Sequence, residues 1–187
     1  MAVSIALATL LFACATSQSP VVEKLDELTA VTITYSRTPM ILSPNTSYDP
    51  KAPKEFVQLG AIEVNRMGAL EYFLWLGITD ESVRKSAHEN PPSFETVVVS
   101  AGDEEFQLDV HGWTQTSIGT SEAVYKKLFR TSLDAYYAVS LEQIRWLTEA
   151  DGIRIRTTGD EPREYQLWYR PTTASDDLAE FVRVVSQ

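Results

Sequence analysis

Two histidines, His88 and His111, are all that this 187-residue chain offers for acid–base or metal work built on imidazole. His111 stands two residues after Asp109. In an extended segment that spacing sets a carboxylate and an imidazole on one face, roughly 7 Å apart along the chain. Such a pair can supply a base and the group that orients it. Trp113 follows in GWTQTSIGTS, a loop of glycines, threonines and serines. A hydrolytic site around Asp109, His111 and Trp113 is the enzyme chemistry this sequence permits, and it requires the three to converge in one concave pocket.

Other catalytic designs lack their ingredients. Two histidines cannot build a three-histidine zinc site, and no H-E-x-x-H is present. Ser100-Ala101-Gly102 and Ser117-Ile118-Gly119 do not read G-x-S-x-G, so no nucleophile elbow is indicated. The eight glycines are scattered one per turn, with neither G-x-G-x-x-G nor a P-loop. Neither a metal nor any other cofactor is implied, and the leading expectation is a binding or assembly module rather than an enzyme.

The richer constellation lies near the C-terminus. With Ile153 and Ile155 pointing inward, Arg154 and Arg156 must point outward; with Tyr165, Leu167 and Tyr169 inward, Trp168 and Arg170 share that outer face. Arginine and tryptophan together suit an anionic or sugar ligand or a partner protein. The plainer alternative is that the arginine stems cover the indole as ordinary surface packing. Trp113 is a second candidate contact, or else a plug closing the end of the fold.

The elements that must carry these residues follow from periodicity. Val21, Val22, Leu25 and Leu28 recur at helical spacing, predicting a short helix that hands over to a strand at Val31, Ile33 and Tyr35. Four prolines between Pro39 and Pro53 predict a long surface excursion. Its Asn45-Thr46-Ser47 sequon reads as chance. Residues 55–64 and 69–78 form β-rich runs around a glycine-containing turn, the second apolar on much of both faces. A second hairpin spans 96–110, an aromatic strand 133–139, and a last hairpin 153–169. Ser140-Leu141-Glu142-Gln143 reads as a capping box opening a helix, and Ser175 as the cap of a terminal one. The expected fold is α+β, mainly antiparallel β and sandwich-like, with about eight strands and two or three helices in a single domain over residues 21–187.

Charge and the N-terminus bear on location. Sixteen Lys and Arg against twenty-six Asp and Glu give a formal charge of −10, which argues against nucleic acid or an anionic membrane surface as the main partner. Residues 2–13, AVSIALATLLFA, are uncharged and end at the chain's one cysteine, Cys14, before a polar ATSQSP. The run is shorter than the roughly 20 residues of a membrane-spanning helix and fits a signal-peptide core. Leu11, Phe12, Ala13 and Cys14 fall where a lipobox places its residues, and in this segment the chain resembles the bacterial lipoproteins. The resemblance implies a signal peptide at 1–13, a lipid on Cys14, a polar tether at 14–20, and no free thiol. Ala15 after the cysteine implies the outer membrane, with the domain facing the periplasm. Partners would then be the membrane through that anchor and an envelope protein or polysaccharide. Without the anchor, the apolar start is structural and Cys14 stays a thiol.

Overall fold

A computed structural model describes residues 18–44, 55–79, 92–102, 104–129, 132–149, 152–169 and 172–187. Ten strands pair antiparallel throughout. They are β1 (Val21–Asp26), β2 (Val31–Ser36), β3 (Met40–Ser43), β4 (Phe56–Arg66), β5 (Ala69–Thr79), β6 (Thr96–Ala101), β7 (Glu104–Gly112), β8 (Leu133–Val139), β9 (Ile153–Thr157) and β10 (Glu164–Tyr169). Two α-helices follow strands, α1 (Leu141–Glu149) after β8 and α2 (Thr172–Val185) after β10.

The order β4-β3-β10-β9-β6-β7-β8-β5 returns to β4, because β4 and β5 also pair along eleven residues. That ring is a closed eight-stranded barrel, and the sandwich expected from the sequence is corrected to it. Closure leaves no sheet edge in the ring. The β1–β2 hairpin lies outside it, joined where β2 pairs with the second half of β4 while β3 takes the first half. The coarser expectation stands: mostly antiparallel β with two α-helices.

Two segments depart from their sequence patterns. Val21–Asp26 is a strand, not a helix; six residues are too few for a stable helix on their own, and pairing with β2 satisfies a full row of backbone groups. Within the predicted Pro-rich excursion, Met40–Ser43 is strand β3, bridging β4 and β10 and closing the ring. The sequon at 45–47 lies outside the described residues.

The interior is filled. Leu42, Leu59, Leu74, Leu76, Ile155 and Tyr165 point inward and are at most 2 % exposed. At the end where β8 and β10 finish, the helices add Ile144, Leu147, Leu178 and Phe181 to the same core. The capping box forms as its chemistry dictates: Ser140 N donates to Gln143 Oε1 at 2.8 Å, and Gln143 N donates to Ser140 Oγ at 3.1 Å. Helix α2 opens at Thr172, so Ser175 lies inside it rather than at its cap. At the end where β6 begins, a 3₁₀ turn (Pro92–Phe94) inserts Phe94, whose carbonyl accepts a 2.6 Å hydrogen bond from Tyr137 Oη.

The β4–β5 hairpin turns on Met67 and Gly68, with φ of 53° and 92°. Two positive φ values make the tight turn whose twist matches the flanking strands. Glycine meets that need at no steric cost, and Met67 adopts it at the tip, 94 % exposed.

Candidate functional site

The Arg154 and Arg156 expectation leads to the outer face of β10, β9, β6 and β7. Register builds it in two rows. Gln166, Arg154, Ser100 and Glu105 stand opposite one another across the four strands; Glu164, Arg156, Val98 and Gln107 form the next row. Residues directly opposite share a face. The floor of the resulting groove is therefore Val98 and Ser100, short side chains between the guanidiniums of β9 and the side chains of β7.

Gly102, Glu104, Glu105 and Glu164 complete the lining of this groove, which holds about 200 Å³. Arg156 Nη2 lies 3.5 Å from Glu105 Oε2, a single contact between two half-exposed side chains. Exposed pairs of this kind contribute about 0–1 kcal/mol, so the contact does not lock the groove shut. Among the described residues Arg154 has no ion pair and the Ser100 hydroxyl no hydrogen bond. Glu164 accepts a 2.9 Å hydrogen bond from Gln166 Nε2.

Trp168 falls elsewhere than expected. A bulge between Leu167 and Tyr169 interrupts the β10–β3 register, and the indole packs against Phe56 of β4 with ring centroids 5.3 Å apart. It keeps 39 % exposure but does not line the groove. Arg170 and Cys14 lie outside the described residues, as does His88.

Asp109, His111 and Trp113 do not converge. Asp109 Oδ1 accepts a 2.7 Å hydrogen bond from Thr96 Oγ1, its cross-strand neighbour. His111 Nε2 lies 3.1 Å from the Ser117 carbonyl, and its ring sits 5.3 Å from that of Phe73. Trp113, beyond a bulge in β7, packs half-buried against the interior core. The carboxylate and the imidazole thus have separate partners, and the indole packs against the core. Among the described residues no group of three His, Cys, Asp or Glu side chains could hold a metal ion.

On the opposite outer face a strap covers the barrel. Residues 115–129 cross β8, β5 and β4 toward β1, placing Ile118, Val124 and Tyr125 on Ile62, Val64, Phe73, Trp75 and Tyr136. Tyr125 stacks on Trp75 at 4.7 Å, donates to the Ala61 carbonyl at 2.7 Å, and meets the Ser36 hydroxyl at 2.9 Å. Gly60 makes room, since a Cβ there would lie 2.4 Å from the Tyr125 ring.

Asp26 ties the strap to the β1–β2 turn. Its carboxylate accepts from Ser121 N at 2.6 Å and Ser121 Oγ at 2.7 Å, and from Leu28 N at 3.1 Å. The Ser121 backbone hydrogen bond, then its side chain, hold the Asp26 pKa down to about 2. The sequence did not single out Asp26; an Asp before a turn signals the local hydrogen bonds, but not the partner 95 residues away.

Glu63 was also missed. It points inward opposite Tyr72 and Thr34, 8 % exposed, and burial raises its pKa while hydrogen bonds from Tyr72 and Thr34 oppose the rise. The alternation of β4 alone would have placed a carboxylate inside. No family model, curated protein or solved structure matches this chain.

Proposed function

We propose that this chain is a lipid-anchored protein of the bacterial envelope whose barrel serves as a binding or assembly module, carried by acylated Cys14 at the outer membrane and facing the periplasm. The observation that carries the module reading is the filled interior. Tyr137, Tyr165, Phe94, Phe181 and Leu42 occupy it at 0–1 % exposure. Eight-stranded barrels that hold a small ligand keep a lumen for it. Here recognition falls to the outer surface, and the groove flanked by Arg154 and Arg156 is the face for it. The apolar run ending at Cys14 supports the anchor. Several acyl chains, at about 0.8 kcal/mol per buried methylene, hold a domain stably at a bilayer.

The intact mass of protein extracted from cell membranes, beside a Cys14→Ala version, tests the anchor. A product starting at Cys14 and heavier by acyl groups is expected. A full-length, unmodified product in the soluble fraction overturns the anchor. Loss of in-cell function on replacing Arg154 and Arg156 together is expected for the groove; retained function removes that face from the proposal.

A further inference from the structure

We infer that Phe56, Leu128, Phe129 and Trp168, with Lys126 beside them, form the face by which the anchored domain lies on a phospholipid bilayer, the same one that holds the acyl chains of Cys14. This rests on the reading of the chain as lipid-anchored and names the surface that meets the membrane. Three observations carry it.

First, these four side chains form one apolar patch open to water. Leu128, Phe129 and Trp168 are 47 %, 42 % and 39 % exposed. Trp168 packs on Phe56, and Leu128 N donates at 2.9 Å to Gln58 Oε1, which stands on the same outer face of β4. The Phe129 carbonyl accepts from Ser132 N at 3.1 Å, and the Ser132 hydroxyl meets that of Thr79, the residue opposite Phe56. An indole beside phenyl and aliphatic groups suits a membrane–water boundary, where tryptophan concentrates.

Second, the nearby charges suit phosphate groups. From Ala123 to Leu133 the sequence holds Lys126, Lys127 and Arg130 and no Asp or Glu, in a chain of net charge −10. Asp134 is paired with Lys127 at 3.1 Å, and Glu55 with Arg163 at 3.0 Å. Lys126 is exposed and has no ion pair among the described residues. Its ammonium can reach headgroup phosphates while the apolar neighbours enter the acyl boundary. Glu164 stands on β10 four residues from Trp168, about 13 Å along the strand. Salt screens charges beyond roughly 10 Å, and Asp160 and Glu161 follow farther along that hairpin.

Third, the anchor enters from this side. β1 and β4 both pair antiparallel with β2, so they run in the same direction, and both lead away from the Phe56 end. The chain before Val21 continues toward that end, where the Pro20 carbonyl accepts from Arg37 N at 2.8 Å. Ser36, opposite Val21, lies beside Ala61. From Ala61 to Phe56 is roughly 17 Å along β4, and residues 14–20 reach about 25 Å when extended. The acyl chains can therefore insert where the patch meets the bilayer. The other exposed large apolar residues, Leu25, Leu28, Met67 and Leu70, lie at the hairpin tips of the opposite end. A bilayer there would require the tether to double back along β1.

Acylation occupies Cys14, so an engineered cysteine is the one free thiol of the chain. The acylated full chain carrying Leu128→Cys or Met67→Cys, spin-labelled at that thiol and placed on vesicles of phosphatidylethanolamine and phosphatidylglycerol, tests the inference. Both sites are open in the protein itself, so shielding reports the bilayer. The label at 128 should be about fivefold less accessible to an aqueous nickel complex than the label at 67, and more accessible to oxygen. Phe129→Cys gives the same reading should the Leu128 variant fail to fold. Equal accessibility at the two sites overturns the inference, as does shielding at 67 alone; in either case an acylated mass leaves the anchor standing and only this face falls. A mass without acyl groups overturns the anchored reading and this inference with it.

Discussion

On β4, β5 and β8 the side chains that point away from the barrel are Ile62, Val64, Phe73, Trp75 and Tyr136, each at most 2 % exposed. On β9 and its neighbours they are Arg154, Arg156, Glu105, Gln107 and Glu164, all exposed. Both sets stand on the outside of one closed sheet. The first is dry because the strap of residues 115–129 lies over it; the second is wet because nothing among the described residues covers it. The inward faces are alike, so the barrel itself does not decide what its outside becomes. That is decided by where the connection between β7 and β8 is laid.

The largest consequence should come from removing the strap's platform. Trp75→Ala deletes a fully buried indole, its stacking on Tyr125, and its 2.9 Å hydrogen bond to Asp134. A loss of about 3–5 kcal/mol is expected in chemical denaturation. A loss under 1 kcal/mol would mean the strap face contributes no more than the open one.

Gly60→Val should be next, at about 1–3 kcal/mol. The new side chain occupies the place of the Tyr125 ring and breaks its contacts with Ser36 and Ala61. Limited proteolysis should then cut within 115–129 before it cuts the barrel. Uniform cleavage would show that strap and barrel unfold together.

Acid should separate the two faces. Asp26 titrates near 3.8 when unconstrained and at about 2 in the folded chain. A carboxylate with a lowered folded pKa stabilises above its unfolded value, and that contribution fades as pH falls through the folded one. The protection of the Ser121 and Leu28 amides, exchange rates taken relative to their intrinsic rates at each pH, should therefore fall between about pH 4 and pH 2, and Asp26→Asn should remove that dependence. Unchanged protection over this range would detach Asp26 from the strap's hold.

The smallest effect belongs to the open face. Arg154→Gln and Arg156→Gln should each change stability by less than about 0.5 kcal/mol. If either cost as much as Gly60→Val, the groove would be a structural part of the barrel and not a surface free to bind.

Local chemistry was legible in the residues. The alternation Ile153-Arg154-Ile155-Arg156 places two arginines outside whatever sheet it joins, because side chains alternate in any strand. The Ser140–Gln143 box closes within four residues. Phe73 and Trp75 against Leu74 and Leu76 announced a strand buried on both sides, although not what buries it. The carboxylates of the groove went unread, since Glu105 and Glu164 look like solvated surface until register sets Glu164 opposite Arg156 and Glu105 in the row of Arg154 and Ser100.

Distance along the chain marks the boundary between the two kinds of knowledge. Periodicity, caps and turns act over a few residues, and so the sequence by itself determined most strands, the first helix start, the outward arginines and a charge of −10. Whether the sheet closes depends on β4 pairing with both β3 and β5, and on β3 meeting β10 from more than a hundred residues away. Pairings of that kind are stabilised only once the intervening chain is already ordered. Tertiary structure alone therefore turned a helical-looking Val21–Asp26 into an outlying strand, a Pro-rich excursion into the bridge of a barrel, and two arginines of one strand into the side of a groove.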